Sequence, residues 1–233
     1  MKTLLVALLL VLQAKENPWE PAPRTQEYPW MSTSVWKARH EAFLKRAKEG
    51  DCDLLLLGDS ITEGWGDNAV WQKSYAPRKA VNFGIGGDTT QNVLWRIQNG
   101  ELEGIAPKAV VLMIGTNNLG LHRDKTEDVA AGVKAILRAL GKKLPKAKVL
   151  LLGVFPREEK KHMDGRRWVS DLNQRIRGFD DQRTVYYLDI GPKLLAPDGT
   201  LTKEVAPDFL HLSEKGYQIW ADAMEPLLSG MLK

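Results

Sequence analysis

The sequence predicts an α/β protein in which a parallel five-stranded sheet is covered by helices on both faces. Three observations carry this. Five short apolar runs are distributed along the chain, near 54–57, 79–83, 109–114, 149–155 and 184–190. Between them lie segments with helical periodicity and capping residues. No internal repeat or low-complexity segment interrupts the alternation, and strands separated by helices are the pattern of a parallel sheet.

The elements follow in order. A helix runs through Trp36, His40, Phe43 and Leu44, capped by Ser32 or Ser34 and stopped by Gly50 as a C′ glycine. Leu54-Leu55-Leu56-Leu57 forms the first strand, and Lys79-Ala80-Val81-Asn82-Phe83 the second. Asp88 is the expected N-cap of a helix over 89–99 that ends at Gly100. After strand 109–114 comes an amphipathic helix over 126–140, with Val129, Val133, Ile136 and Leu137 on one face. Strands 149–155 and 184–190 flank a helix containing Trp168, Leu172 and Ile176, and a helix over 214–228 closes the chain.

At 233 residues the chain can bury a substantial core. Its net charge of +4 is scattered. Lys142-Lys143 and Arg166-Arg167 therefore read as solvated surface, and no nucleic-acid partner is expected. The single cysteine, Cys52, excludes an intrachain disulfide and reads as a small buried residue at the mouth of a strand. Lys2 followed by the apolar run Leu4 to Leu12 and then Ala14 has the form of a secretory signal over 1–14, with a buried apolar helix as the alternative. That run is too short to span a bilayer stably, so an exported protein without a membrane anchor is expected. Residues 15–29 form a proline-rich extended arm, with four prolines between Asn17 and Pro29, and 30–233 a single domain.

In open parallel sheets, ligands bind beyond the carboxyl ends of the strands. Ser60 lies just past the first run, Gly86-Gly87 past the second, Gly115-Thr116-Asn117 past the third, and Asp208 and His211 in the long segment after the fifth. All fall on one edge. A serine hydroxyl is a weak nucleophile until a positioned imidazole takes its proton, and Asp208 stands three residues before His211. Each motif has a second reading. Gly58-Asp59-Ser60 is ordinary turn composition. Asp208 and His211 suit a surface ion pair or a helix cap. Asn117 suits a turn or an oxyanion donor. The glycine-rich run at 84–87 suits a phosphate cradle, but position 89 is Thr89 and no Lys-Ser or Lys-Thr pair follows, so its N–H groups fit an oxyanion better. Among the other histidines, His40 is expected exposed, His162 in a solvated loop, and His122 near the site. No two histidines have metal-ligand spacing, so no metal is expected.

Gly58-Asp59-Ser60-Ile61, Gly87-Asp88, Gly115-Thr116-Asn117 and Asp208-x-x-His211, in that order, resemble the four blocks of the GDSL/SGNH hydrolase family. Asn82 to Thr90, Val93-Leu94-Trp95-Arg96, Gly100-Glu101-Leu102-Glu103 and Asn118 are similar to its platelet-activating factor acetylhydrolase branch. The signal and proline-rich arm depart from that cytosolic branch. The resemblance implies a flavodoxin-like three-layer α/β/α sandwich, with Ser60 as nucleophile, His211 as base and Asp208 as its orienting acid. It implies an oxyanion hole of the Ser60 and Gly87 N–H groups and the Asn117 side chain, a structural Asp59, and no cofactor. Ile61, Thr116 and Leu210, beside these residues, are candidate walls of a small acyl pocket, or core packing. Trp65 and Trp71, expected exposed past the nucleophile, suit a sugar. The expected activity is hydrolysis of short-chain acyl esters, acetyl foremost, by a monomer or homodimer; the alcohol half is a sugar, an aryl group or a lipid, with the sugar as the lead. Lysophospholipase or thioesterase action and non-catalytic glycan binding are the alternatives.

Overall fold

A computed structural model describes residues 16–66 and 68–233; the expected signal segment and Lys15 lie outside the described residues. Five strands, β1 (Leu54–Gly58), β2 (Ala80–Gly84), β3 (Ala109–Met113), β4 (Lys148–Leu152) and β5 (Val185–Leu188), form one sheet in the order β2-β1-β3-β4-β5. Every neighbouring pair is parallel, as expected. The helices are α1 (Thr33–Lys48), α2 (Ser60–Glu63), α3 (Ala69–Ser74), α4 (Thr90–Gln98), α5 (Thr116–Gly120), α6 (Thr126–Lys143), α7 (Asp164–Arg177) and α8 (Glu214–Met231).

Strand geometry explains the layers. Successive side chains point to opposite faces, so Leu55 and Leu57 pack with residues of α4, α6 and α7, including Val93, Val133 and Leu172. Leu54 and Leu56 pack the other way, with Trp71 of α3 and Trp220 and Met224 of α8. All four leucines are fully buried, each contributing about 2 kcal/mol of hydrophobic stabilisation. The chain starts at β1, moves to β2 on one side, then crosses to β3 on the other. The direction of winding thus reverses beside β1, the position at which open parallel sheets bind ligands at their carboxyl edge.

Caps separate the correct readings from the wrong one. Ser32 caps α1 by accepting from the Val35 N–H, and Gly50 follows the helix with φ +72°. Asp88, expected to cap α4, does not. Thr89 is the N-cap, paired with Asn92 in a capping box, while Asp88 turns inward to bind cationic partners. His40, expected exposed, is buried between Glu101, at 3.3 Å, and the rings of Trp36 and Trp95, because α1 covers the sheet with that face. Cys52 is buried as expected, and burial pushes its thiol up to about 11.

The proline-rich arm is tied to α4. Thr90 Oγ1 donates to the Pro18 carbonyl (2.8 Å), the Ala22 N–H to the Gln91 carbonyl (3.2 Å), and Asn92 Nδ2 to the Ala22 carbonyl (3.0 Å). No helix among the described residues is long and apolar enough to cross a membrane.

Candidate active site

β1 ends at Gly58 and turns at once into the one-turn helix α2. Asp59 caps that helix by accepting from the Ile61 N–H at 3.0 Å, which places Ser60 at its first position. From below, Tyr217 of α8 donates its hydroxyl hydrogen to the Ile61 carbonyl at 2.8 Å. The serine is thus held at a strand-to-helix turn from two sides. Asp59 is fully buried, and burial pushes its carboxyl up to about 7; its Oδ2 has no hydrogen-bond partner among the described residues.

Ser60 Oγ stands 2.9 Å from His211 Nε2, and His211 Nδ1 stands 2.7 Å from Asp208 Oδ2. The second Asp208 oxygen accepts the N–H groups of Leu210 (3.0 Å) and His211 (2.7 Å). This tight turn requires Phe209 to adopt φ +59°, a costly conformation for a non-glycine residue. Phe209 is held in it by its own N–H, which donates to Ala206, and its carbonyl, which accepts from Glu158. Partial burial works to raise the Asp208 carboxyl, but the bonds from the His211 ring and the two backbone N–H groups outweigh it. The carboxyl is held below its ordinary value.

The loop after β2 faces the same serine. The Gly86 N–H donates to Glu63 Oε2 at 2.7 Å, whereas that of Gly87 makes no hydrogen bond with the described residues. Gly87, not its neighbour, therefore has a donor to offer. Its φ is +76°, and a Cβ there would come within 2.3 Å of the Trp30 ring, so only glycine fits. Asn117, on α5 past β3, donates one amide hydrogen to the Asp88 carbonyl at 2.9 Å. A primary amide has two, so this bond orients the group and leaves the other hydrogen for a ligand.

Beneath this loop lies a buried ionic network. Asp88 accepts from Trp36 Nε1 (2.7 Å), Arg24 Nη2 (3.1 Å) and Arg96 Nε (2.9 Å), and Arg96 continues to Glu101. Arg24 Nη2 also donates to the Gly86 carbonyl at 2.7 Å. Burial works against the Arg96 charge, but Glu101 and Asp88 outweigh it and its pKa is raised. On the other flank, Arg157 Nη1 donates to the Thr116 carbonyl (2.9 Å) and hydroxyl (3.1 Å) and steadies α5.

Of the candidate pocket walls, Ile61 and Thr116 are each only 1% exposed, and Leu210 is half-buried against the core. Trp65 and Trp71, expected exposed, are both buried. Trp65 packs against Tyr217 and Trp220 with ring centroids 4.6 and 4.9 Å away, because two large aromatics gain more by filling the space under α8. His162 is exposed, and His122 is half-buried with Nε2 3.4 Å from the Tyr28 hydroxyl. A separate surface cleft of about 560 Å³, lined by Arg166, Asn173, Arg177 and Asp189 between α7 and β5, includes neither Ser60 nor His211.

Ser60, His211 and Asp208 are linked by hydrogen bonds, the loop of Gly86 and Gly87 lies beside Ser60, and Asn117 is bonded to the Asp88 carbonyl of that loop. Arg24, Glu63, Arg157 and Tyr217 were missed. They act on backbone groups far away in the chain, and no local pattern marks them.

A doubly wound parallel sheet with a serine, a histidine and an aspartate linked at its carboxyl edge has the architecture of an α/β ester hydrolase. The comparisons with known proteins agree. The chain belongs to the GDSL-like lipase/acylhydrolase family, whose model matches residues 56–219, and it is an ester hydrolase. It is 36% identical over 199 residues to platelet-activating factor acetylhydrolase IB subunit alpha2 of Rattus norvegicus, covering 85% of each chain. In fold it is similar to a GDSL-like lipase from Bacteroides thetaiotaomicron, with a TM-score of 0.66 at 19% identity over 84% of this chain and 97% of the other. A carbohydrate acetylesterase family member from Sinorhizobium meliloti gives a TM-score of 0.58 at 18% identity, over 77% and 98%.

Proposed function

We propose that this protein is a serine esterase that removes short acyl groups, chiefly acetyl, from carbohydrate esters. The observation that carries the reading is the continuous chain from Ser60 Oγ through both His211 nitrogens to Asp208 Oδ2, at 2.9 and 2.7 Å. With Asp208 ionised and holding the Nδ1 proton, Nε2 has the lone pair needed to take the serine proton.

Ser60 Oγ attacks the ester carbonyl as His211 accepts its proton. The carbonyl oxygen becomes an anion received by the N–H groups of Ser60 and Gly87 and the second amide hydrogen of Asn117. Collapse expels the alcohol, which takes the proton from His211. Water, deprotonated by the same imidazole, then attacks the acyl-serine; the acid is released and Ser60 regains its proton.

Ile61 and Thr116 are buried, Ile61 within the hydrophobic core, so their packing is that of core residues and the acyl preference rests on the relatives. The similar rat protein is named an acetylhydrolase, which supports acetyl as the acyl group. The carbohydrate acetylesterase among the fold neighbours supports a sugar as the alcohol. The basic and apolar N-terminal run supports export before action, which N-terminal sequencing of the protein released by its host would test.

Wild type and Ser60→Ala are to be compared on nitrophenyl esters of rising chain length and on acetylated glycans. The expected result is hydrolysis that falls with chain length, includes the glycans and disappears in the variant. Near-normal hydrolysis by Ser60→Ala would end the triad assignment. Rates that rise with chain length would turn the reading to a lysophospholipase or thioesterase.

A further inference from the structure

An exposed aromatic stands beside the Gly87 loop, directly after the proline-rich arm. Trp30 is 54% exposed although the edge of its six-membered ring abuts Gly87. Tyr28 stacks on it almost in parallel, with ring centroids 4.7 Å apart and an interplanar angle of 5°. The Arg24 guanidinium lies 5.5 Å from the centre of the Tyr28 ring and is itself bound to Asp88 and the Gly86 carbonyl. The next residue, Met31, reaches the same lip: a Cβ on Gly86 would lie 3.3 Å from Met31 Cε and 3.7 Å from Ser60 Cβ. With one face of the indole against Tyr28 and one edge against Gly87, its free surface is chiefly the opposite face, which looks onto solvent beside the oxyanion loop.

We propose that Trp30, backed by Tyr28, is the platform on which the sugar ring of the departing alcohol lies. The proposal rests on the acetyl-sugar reading given above and adds the residue that recognises the sugar. A bulky alcohol has to lie on exposed surface, and Trp30, more than half exposed beside Gly87, supplies it. One face of a pyranose is a sheet of C–H groups whose positive hydrogens suit the negative face of an indole, while the ring's hydroxyls stay in water. The stack is already assembled and anchored through Arg24, so binding a sugar requires little ordering of the protein. The guanidinium holds the Tyr28 ring, and Tyr28 in turn backs the exposed indole.

The test compares wild type, Trp30→Ala and Trp30→Phe on two acetyl esters, an acetylated xylo-oligosaccharide and ethyl acetate, which has no ring to stack. Trp30→Ala should lose roughly tenfold or more in kcat/KM on the sugar ester relative to its change on ethyl acetate, mainly through KM. Trp30→Phe should fall between the two. In a Ser60→Ala background, the deacetylation-resistant oligosaccharide complex should alter tryptophan fluorescence, and Trp30→Phe should remove that change.

Equal losses on both esters would overturn the platform and make Trp30 a prop for the Gly87 loop. A loss that grows with acyl length at constant alcohol would overturn it in favour of an acyl wall. If wild type cleaves the sugar ester and Trp30→Ala does so equally well, the platform fails and the esterase reading stands. If wild type leaves acetylated sugars intact while cleaving other esters, the sugar reading fails and the platform with it.

Discussion

On the base side of Ser60, the His211 and Asp208 side chains are 45% and 56% exposed and bonded within four residues of chain. On the oxyanion side, Asp88 and Arg96 are wholly buried and tied to partners from the arm, α1 and α4. The contrast follows from what each side must do. In the proposed mechanism His211 passes protons between Ser60, the alcohol and the attacking water, and a short local turn orients it. In the same mechanism the oxyanion donors must not move when charge develops, and the buried network fixes the loop that would carry the Gly87 donor. Loss of a residue on the exposed side should therefore damage chemistry, and loss on the buried side should damage folding.

The largest effect tests the exposed side. His211→Ala should lower kcat by roughly a millionfold, and Asp208→Ala by roughly ten-thousandfold or more, as in other triads. The thermal melt should barely shift for His211→Ala, whose ring is half in water, and fall modestly for Asp208→Ala, which removes two backbone hydrogen bonds. A large drop in melting temperature would mean that the turn is a folding element and would blur the contrast. Asn117→Ala is the intermediate case, since its amide both bonds the Asp88 carbonyl and faces the site. It should lose roughly a hundred- to a thousandfold in kcat with little change in KM.

Arg96→Ala tests the buried side. Removing Arg96 leaves the buried Glu101 without its arginine and Asp88 with Arg24 as its one remaining cation, and should cost about 3–5 kcal/mol in denaturant unfolding. A variant that unfolds like wild type would show that the network is dispensable.

Asp59, at the seam between the two sides, should give the smallest effect. Its value of about 7 lies above the 3.8 of a free aspartate. Between these values the folded protein keeps a proton that the unfolded chain has released. Stability contributed by the protonated carboxyl is thus lost as pH rises through that window, with the full cost present above about pH 7. Asp59→Asn should remove this part of the slope, about 3 kcal/mol or less between pH 5 and pH 8. An unchanged slope in the variant would place the proton elsewhere.

The candidate site was legible because Ser60, Gly87 and Asn117 each follow an apolar run closely, and a parallel sheet sends all such loops to one edge. Strand ends were misplaced by one to three residues; the run to Phe155, for example, leaves the sheet after Leu152. Asp88 was misread for a local reason. An acid before Thr89 suits a helix cap, and its true partner Arg24 lies 64 residues away in an arm with no periodicity. Trp65 and Trp71 were misread because aromatic residues past a nucleophile suit a ligand as well as a core.

The sequence by itself determined the alternation of strand and helix, the common edge of the motifs, and the local Asp208–His211 turn. All of these depend on spacing along the chain or on the two faces of a strand. Only the tertiary structure decided that Gly87 rather than Gly86 has an N–H free of partners among the described residues, that Asp88 is an ionic anchor, and that Trp30 rather than Trp65 or Trp71 stands open beside the Gly87 loop. Those outcomes depend on which distant groups compete for the same hydrogen bond or the same buried space, and spacing carries no record of that competition.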